Sequence, residues 1–422
     1  MQIKNIHLVN YRGMEDLTVE FGPGVNLVIG DNGAGKTSLL SGISLMLSRL
    51  FGFIGGLHTL TIEKKDVRMT STSLGEATGN AKYHTPVEIE YDLEAWDEDY
   101  HDKCQKNHED SPVELSASPA AGKMKTLVED NDSILPLLNY QEDQRNGIRT
   151  EAKTTTQFAI EKPERRQGYQ DCFSSSHTFE AMEKWSLYME FYKAQSGREA
   201  QEYGIFKGIV SKFIKEIEKE EKDPCVRFSI KQMQLTYSDG DNEQPIRLLS
   251  AGYQSILCLI MELAYRTALL NPRLEKLENL EGVVLIDEID MHLHPKWQWK
   301  VLGALQSTFP KVQFIVATHS PIVISSAENA QLLLMRSPNE VEELPDAYGI
   351  NIDDILELRQ GSADMPPELK AWRREIRDAL NRNDLPQAQA IIRKAEEARG
   401  KGSAPVKSLR NFLDINKWIA GG

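Results

Sequence analysis

The chain has 422 residues, 40% hydrophobic and 27% charged, with a formal net charge of −14. This allows one large domain or two ordinary ones with an ample core; no apolar run approaches the ~20 residues of a membrane span, and the N-terminus has no basic-then-apolar leader. The acidity gives no electrostatic sign of nucleic-acid binding, without excluding a local basic surface, and four scattered cysteines without C-x-x-C spacing argue for the reducing cytoplasm and against structural zinc.

Residues 3–9 read as a strand, 17–21 alternate as a second, and Gly22-Pro23-Gly24 marks a turn. Residues 24–29 form a short apolar strand. Residues 38–47 read as a helix with Leu39, Ile43, Met46 and Leu47 on one face. Between them, Gly30-Asp31-Asn32-Gly33-Ala34-Gly35-Lys36-Thr37 matches G-x-x-x-x-G-K-[ST]. An ordinary glycine turn is the plainer reading of such a pattern; the flanking strand and helix favour a phosphate loop. Backbone N–H groups would close around the phosphates at the positive helix end. Lys36 would reach the β/γ phosphates and Thr37 would hold Mg²⁺, with Asn32, Gly33, Gly35 and Ser38 completing the ATP contacts.

Residues 51–85 read as loop with a short element near 61–68. Residues 87–93 alternate strictly, as in a half-buried strand, and the acid-rich 92–110 read as a solvated loop. Residues 133–140 form a buried apolar segment leading to Arg145 and Arg149. Helices are expected over 179–194 and 206–222, with Ile209, Phe213 and Ile217 at i, i+4, i+8, followed by a strand pair at 226–230 and 233–237. Residues 255–269 and 297–305 read as helices, and 283–286 and 312–317 as buried parallel strands. Two amphipathic helices, 366–381 and 385–398, make a C-terminal αα-hairpin. Its Trp372 and the basic run 401–410 offer a docking surface; packing of the tail on its own head is an equal alternative.

Three further motifs accompany the phosphate loop. Asp287-Glu288 ends the 283–286 strand, where Asp287 would hold the Mg²⁺ touched by Thr37 and Glu288 would polarise the attacking water. Leu249-Ser250-Ala251-Gly252-Tyr253-Gln254 precedes an apolar helix. By itself this is better read as a serine N-cap, although Ser250 and Gly252 could also bind a terminal phosphate. His319 ends the 312–317 strand, where it could sense the γ-phosphate or bind the water, although a lone strand-end histidine is more often structural. His292 and His294 lack the H-E-x-x-H spacing of a zinc helix, and Pro295 breaks the pattern.

Taken in order, these motifs resemble the ABC-type ATPase head of the SMC, RecF and OLD proteins. Residues 249–254 resemble the ABC signature, Asp287-Glu288 the Walker B pair, residues 291–295 the D-loop and His319 the switch histidine. Asn10-Tyr11-Arg12-Gly13 resembles the opening of these heads, which implies phosphate contact by Arg12. Gly168-Tyr169-Gln170-Asp171 with Phe179 and Trp185, and Ala347-Tyr348-Gly349 with Asp353-Asp354-Ile355-Leu356, look like the short RecF-like ATPases of Septu and retron antiphage systems, the PtuA family. The glutamine loop is a departure: 51–85 shows no evident glutamine, and Lys65, Asp66 or Arg68 would lie near its position.

The resemblance implies an α/β, ABC-type P-loop ATPase head, a mixed sheet with flanking helices split by a helical insertion, plus a C-terminal helical tail. The expected parts are an N-terminal lobe (1–145), a mostly helical insertion (146–225), a C-terminal lobe (226–335) and a tail (336–422). It further implies a homodimer or higher even oligomer in which the P-loop of one copy and Ser250–Gly252 of another sandwich ATP. There is no long heptad arm and no nuclease acidic set after residue 325, so a partner HNH nuclease, PtuB-like, would do any cutting, with DNA reached through the complex and no membrane involved. Two alternatives stay open: a RecF-like repair ATPase that binds DNA directly, and an ATP-bound scaffold with little turnover.

Overall fold

The computed structural model describes residues 1–71, 81–142, 164–174, 178–218, 223–344 and 348, and, in the tail, 367–382, 384–400 and scattered positions to 413. Two compact units emerge, Met1–Ile350 and Asn351–Gly422.

Two sheets organise the first unit. Strands β1 (Gln2–Val9), β2 (Asp16–Glu20), β6 (Val87–Ala95), β7 (Glu98–Lys106) and β8 (Glu114–Leu115) form an antiparallel sheet in the order β2-β1-β6-β7-β8. The second sheet has the order β16-β15-β3-β14-β13-β9, built from β3 (Val25–Gly30), β9 (Leu137–Gln141), β13 (Glu281–Ile286), β14 (Lys311–Thr318), β15 (Gln331–Ser337) and β16 (Glu340–Leu344). Strands β15, β3, β14, β13 and β9 run parallel, and β16 is antiparallel at one edge. Strand β3 is buried along its length, as expected for a strand inside a parallel sheet.

Helix α1 (Lys36–Ser48) packs between the sheets, and one core cluster draws on it and on strands of both. This explains a departure from the expected single apolar face. Leu40 and Leu45 are buried as well as Leu39, Ile43, Met46 and Leu47, because beyond Ser41 the two sheets enclose the helix on all sides.

The acidic stretch 92–110 is not a loop. β6 continues to Ala95, turns through Trp96 and Asp97, both at positive φ, and returns as β7. Tyr100, Asp102, Cys104 and Lys106 alternate inward while the remaining charges face solvent, so the acids mark one face of a strand. The 51–85 stretch carries β4 (Met69–Ser71) and β5 (Ala81–Tyr83). Helix α2 (Pro119–Glu129) was not anticipated; Ser118 caps it and Pro119 opens it.

Helices α3 (Thr178–Ser196), α4 (Gln201–Glu218) and α5 (Ala251–Leu270) pack beside a small sheet of β10 (Cys225–Ser229), β11 (Gln234–Ser238) and β12 (Glu243–Pro245). The expected helix 297–305 is two pieces, α6 (Pro295–Gln298) and α7 (Val301–Thr308), and α8 (Pro321–Ser325) follows β14. Arg145, Arg149, Ala347, Gly349 and the acidic motif 353–356 lie outside the described residues.

In the second unit, helices Pro367–Asn381 and Leu385–Arg399 share a core. Trp372 lies inside that core with Ile376, Ala379 and Ala388, and Arg410 pairs with Glu396 of its own unit. Trp372 is therefore an internal packing residue and not part of a docking surface.

Candidate nucleotide site

The site collects at the C-terminal ends of β3, β13 and β14, where Thr318 registers with Ile29 and Ile286 with Val316. Gly35 closes the phosphate loop as the N-cap of α1 with φ 102°, a conformation that side chains resist. Lys36 is buried, and its Nζ donates to the carbonyls of Gly30 at 3.1 Å and Asp31 at 3.3 Å. The tip at Asp31, Asn32 and Gly33 is exposed, and Ser38 is half-buried.

Thr37 Oγ1 donates to Asp287 Oδ2 at 2.7 Å. A hydroxyl beside a carboxylate is the hard-oxygen pair that suits Mg²⁺. Glu288, at positive φ directly beyond β13, places Oε1 3.0 Å from His319 Nε2. The same His319 nitrogen lies 2.6 Å from Lys36 Nζ. The structure thus brings Lys36, Thr37, Asp287, Glu288 and His319 into one connected cluster.

Arg12 reaches the neighbourhood by another route. Its Nε donates to Asp66 Oδ1 at 2.9 Å and its Nη1 to Ser41 Oγ at 3.0 Å, one helical turn beyond Thr37. The Tyr140 hydroxyl is held far above the usual phenol range, first by burial and then by the charge of Asp287.

Ser250 and Gly252 sit elsewhere. Ser250 caps α5, its Oγ accepting from Tyr253 N at 3.4 Å, so the plain N-cap reading describes its contacts within this chain. A Cβ on Gly252 would lie 2.9 Å from the carbonyl of His292, and Ser255 Oγ donates to the carbonyl of Met291 at 3.2 Å. The signature turn therefore rests on the D-loop segment. His294 caps α6, its Nδ1 accepting from Lys296 N.

The residue missed from the sequence is Gln141. It ends β9, beside the Asp287 strand, and its carbonyl accepts from Asp287 N at 2.8 Å. Asp66 is paired with Arg12, Lys65 with Glu63 and Arg68 with Glu15. The signal was present as an amide directly after an apolar strand. It lies well beyond the 51–85 stretch.

A parallel sheet carrying a glycine loop, an Asp-Glu pair and a histidine on neighbouring strand ends defines a P-loop ATPase head. The family described as "AAA domain, putative AbiEii toxin, Type IV TA system" matches residues 25–325, and the chain belongs to it. Its relatives include the retron Vc95 probable ATPase of Vibrio cholerae, 24% identical over 86% of this chain and 79% of that protein. The Septu protein PtuA of Bacillus thuringiensis is 26% identical over 84% of this chain and 83% of that one. The fold is similar to that of the SMC head solved with the C-winged helix domain of ScpA (TM-score 0.51, 14% identity, covering 82% of this chain and 98% of that one). Among the described residues, no helix is long and apolar enough to cross a membrane.

Proposed function

We propose that this ATPase is the nucleotide-controlled subunit of an antiphage defence complex, dimerising through ATP and regulating an HNH nuclease partner. The relatives named for Septu and retron systems support the biological setting. The observation that carries the dimer is the exposure of two separate surfaces. The P-loop tip at Asp31 to Gly33 and the turn at Ser250 and Ala251 are both open, while the hydrolytic cluster around His319 is closed within one chain. ATP bound on the first surface is completed by the second surface of another copy, where the α5 N-terminus supplies the anion-binding end of a helix.

In this reading Lys36 and the backbone N–H groups of the loop, with Asn32, Gly33, Gly35 and Ser38, hold the phosphates. Thr37 and Asp287 would hold Mg²⁺, which neutralises charge on the β- and γ-phosphate oxygens. Glu288 orients and deprotonates the attacking water, and His319 Nε2 steadies either that carboxylate or Lys36, according to its tautomer. Gln141 faces the same strand end and serves as the glutamine of the site. Arg12 braces α1 through Ser41.

The test uses Glu288→Gln, which should bind ATP, hydrolyse it slowly and accumulate as an ATP-dependent dimer in light scattering. Adding Ser250→Arg should abolish the dimer and leave monomer nucleotide affinity intact. An unchanged dimer in the double variant would overturn the trans arrangement. Co-purification of an HNH protein encoded beside this chain, released or activated according to nucleotide state, tests the regulatory role.

A further inference from the structure

Gln141 is the start of a buried polar chain that leads away from the nucleotide. Its Nε2 donates to Asn139 Oδ1 at 2.9 Å. Asn139 Nδ2 donates in turn to Glu262 Oε1 at 2.9 Å and to the carbonyl of Cys172 at 3.1 Å. Glu262 Oε1 also accepts from Arg266 Nε at 3.0 Å and Nη2 at 2.8 Å. Arg266 Nη1 donates to the carbonyls of Gly168 and Gln170, both at 2.9 Å, and the second Nη2 hydrogen is shared between Asp171 O and Thr178 Oγ1. Gln141, Asn139, Glu262 and Arg266 are all buried.

The donor and acceptor inventory gives this chain a direction. Arg266 is a permanent cation with donors only, and Glu262 Oε1 takes two of its N–H groups, so that oxygen faces Asn139 as an acceptor. The Cys172 carbonyl can only accept as well. Both partners of the Asn139 nitrogen are therefore acceptors, and its amide has one admissible orientation, with Oδ1 toward Gln141. That oxygen accepts only the NH₂ end of Gln141, which leaves Gln141 Oε1 as the end available for a cation or a water proton. A reversed carboxamide would offer N–H groups instead, which suit neither.

We infer that Asn139, Glu262 and Arg266 are positioning residues for ATP hydrolysis: they fix which end of the Gln141 carboxamide is presented to the site, and they tie that orientation to α5, the helix capped by Ser250. This rests on the reading of Gln141 as the glutamine of the site. The relay also gives the Gly168-Tyr169-Gln170-Asp171 turn a definite task, since its carbonyls hold Arg266 in place.

The experiment is a double-mutant cycle on the purified full chain, reading steady-state kcat, the Mg²⁺ concentration for half-maximal activity, and ATP affinity. Gln141→Ala should lower kcat. Asn139→Leu should lower kcat by about 10- to 10²-fold, raise the Mg²⁺ requirement and leave ATP affinity nearly unchanged. The combined variant should fall no further than Gln141→Ala alone, because Asn139 acts through Gln141. A purely structural Asn139 would give additive losses or a lower Tm with unchanged kcat, and either result overturns the relay. Wild-type kcat in Gln141→Ala overturns the reading of Gln141 itself, and the relay with it. Should Asn139→Leu not fold, Asn139→Ser, too short to bridge Gln141 and Glu262, enters the same cycle with the same expected outcomes.

Discussion

Lys36 Nζ and His319 Nε2 lie 2.6 Å apart, joining the first residue of α1 to the residue after β14 across 283 positions of sequence. The same nitrogen is 3.0 Å from Glu288 Oε1. It cannot accept from the ammonium and donate to the carboxylate at once, so the imidazole tautomer decides which partner it serves. When Nε2 carries the proton, it steadies Glu288; without that proton, it accepts from Lys36.

His319→Ala should therefore separate binding from turnover. We expect kcat to fall by about 10²-fold while ATP affinity stays close to wild type. Phosphate release and equilibrium nucleotide binding measure the two. A matched loss in affinity would place His319 among the phosphate-holding groups instead.

Thr37→Val removes the hydroxyl that meets Asp287 and keeps the side-chain shape. Mg²⁺-dependent turnover should fall, with a marked rise in the Mg²⁺ needed for half-maximal rate. Asp287→Asn should cost about 10² in kcat. A magnesium titration of ATPase activity reads both variants.

Gly252→Val should disturb the signature turn while sparing the P-loop. A Cβ there meets the His292 carbonyl at 2.9 Å, and a backbone atom yields little. The variant should keep monomer ATP binding and lose ATP-dependent association, seen by sedimentation.

His7 provides a pH signature. Burial lowers its pKa, but its contacts with Glu90 and Asp16 raise it by more, leaving it above the ordinary 6.5. A group raised in the folded state stabilises fully below its unfolded pKa and loses that contribution as pH climbs through the folded pKa. Because His7 is half-buried beside solvent, with 30% of its side chain exposed, screening holds the effect below about 1 kcal/mol. Urea midpoints measured from pH 6 to 8 should fall slightly in the wild type, and this component should vanish in His7→Gln.

Thiol labelling reports on the cores. Burial pushes the Cys104 and Cys172 thiols up to about 12, and Cys258 is also buried, while Cys225 is half-buried. A thiol reagent at pH 8 should modify Cys225 first in the native protein and all four cysteines in denaturant. Rapid native labelling of Cys172 would show that the turn after Tyr169 opens readily.

The nucleotide site was legible because each of its parts is local. A glycine loop, an Asp-Glu pair and a histidine each follow a short apolar strand, and such strands stand out when buried on both faces. What escaped was tertiary in origin. β7 looked like an acidic loop because its inward positions include Asp102 and Lys106, which the fold buries. Leu40 and Leu45 fall outside the single apolar face that the periodicity of α1 defines, because nothing in the helix shows that two sheets enclose it. Gln141 was overlooked because its importance comes from sitting beside the Asp287 strand, a pairing between residues far apart in sequence. Trp372 read as a surface anchor because an amphipathic stripe does not name its partner, which proved to be the following helix.

The placement of β3 between β14 and β15 has a consequence for synthesis. The P-loop emerges early from the ribosome, but its strand has no hydrogen-bonded neighbour in its sheet until the chain extends past Thr318. Until then an apolar strand edge stands open, in the long-range topology that folds slowly and invites aggregation. ATP cannot assist folding through the assembled site before that point, because Asp287 and His319 have yet to join the loop. Nascent chains stalled before residue 318 should therefore depend on a holding chaperone, whatever the cellular ATP level.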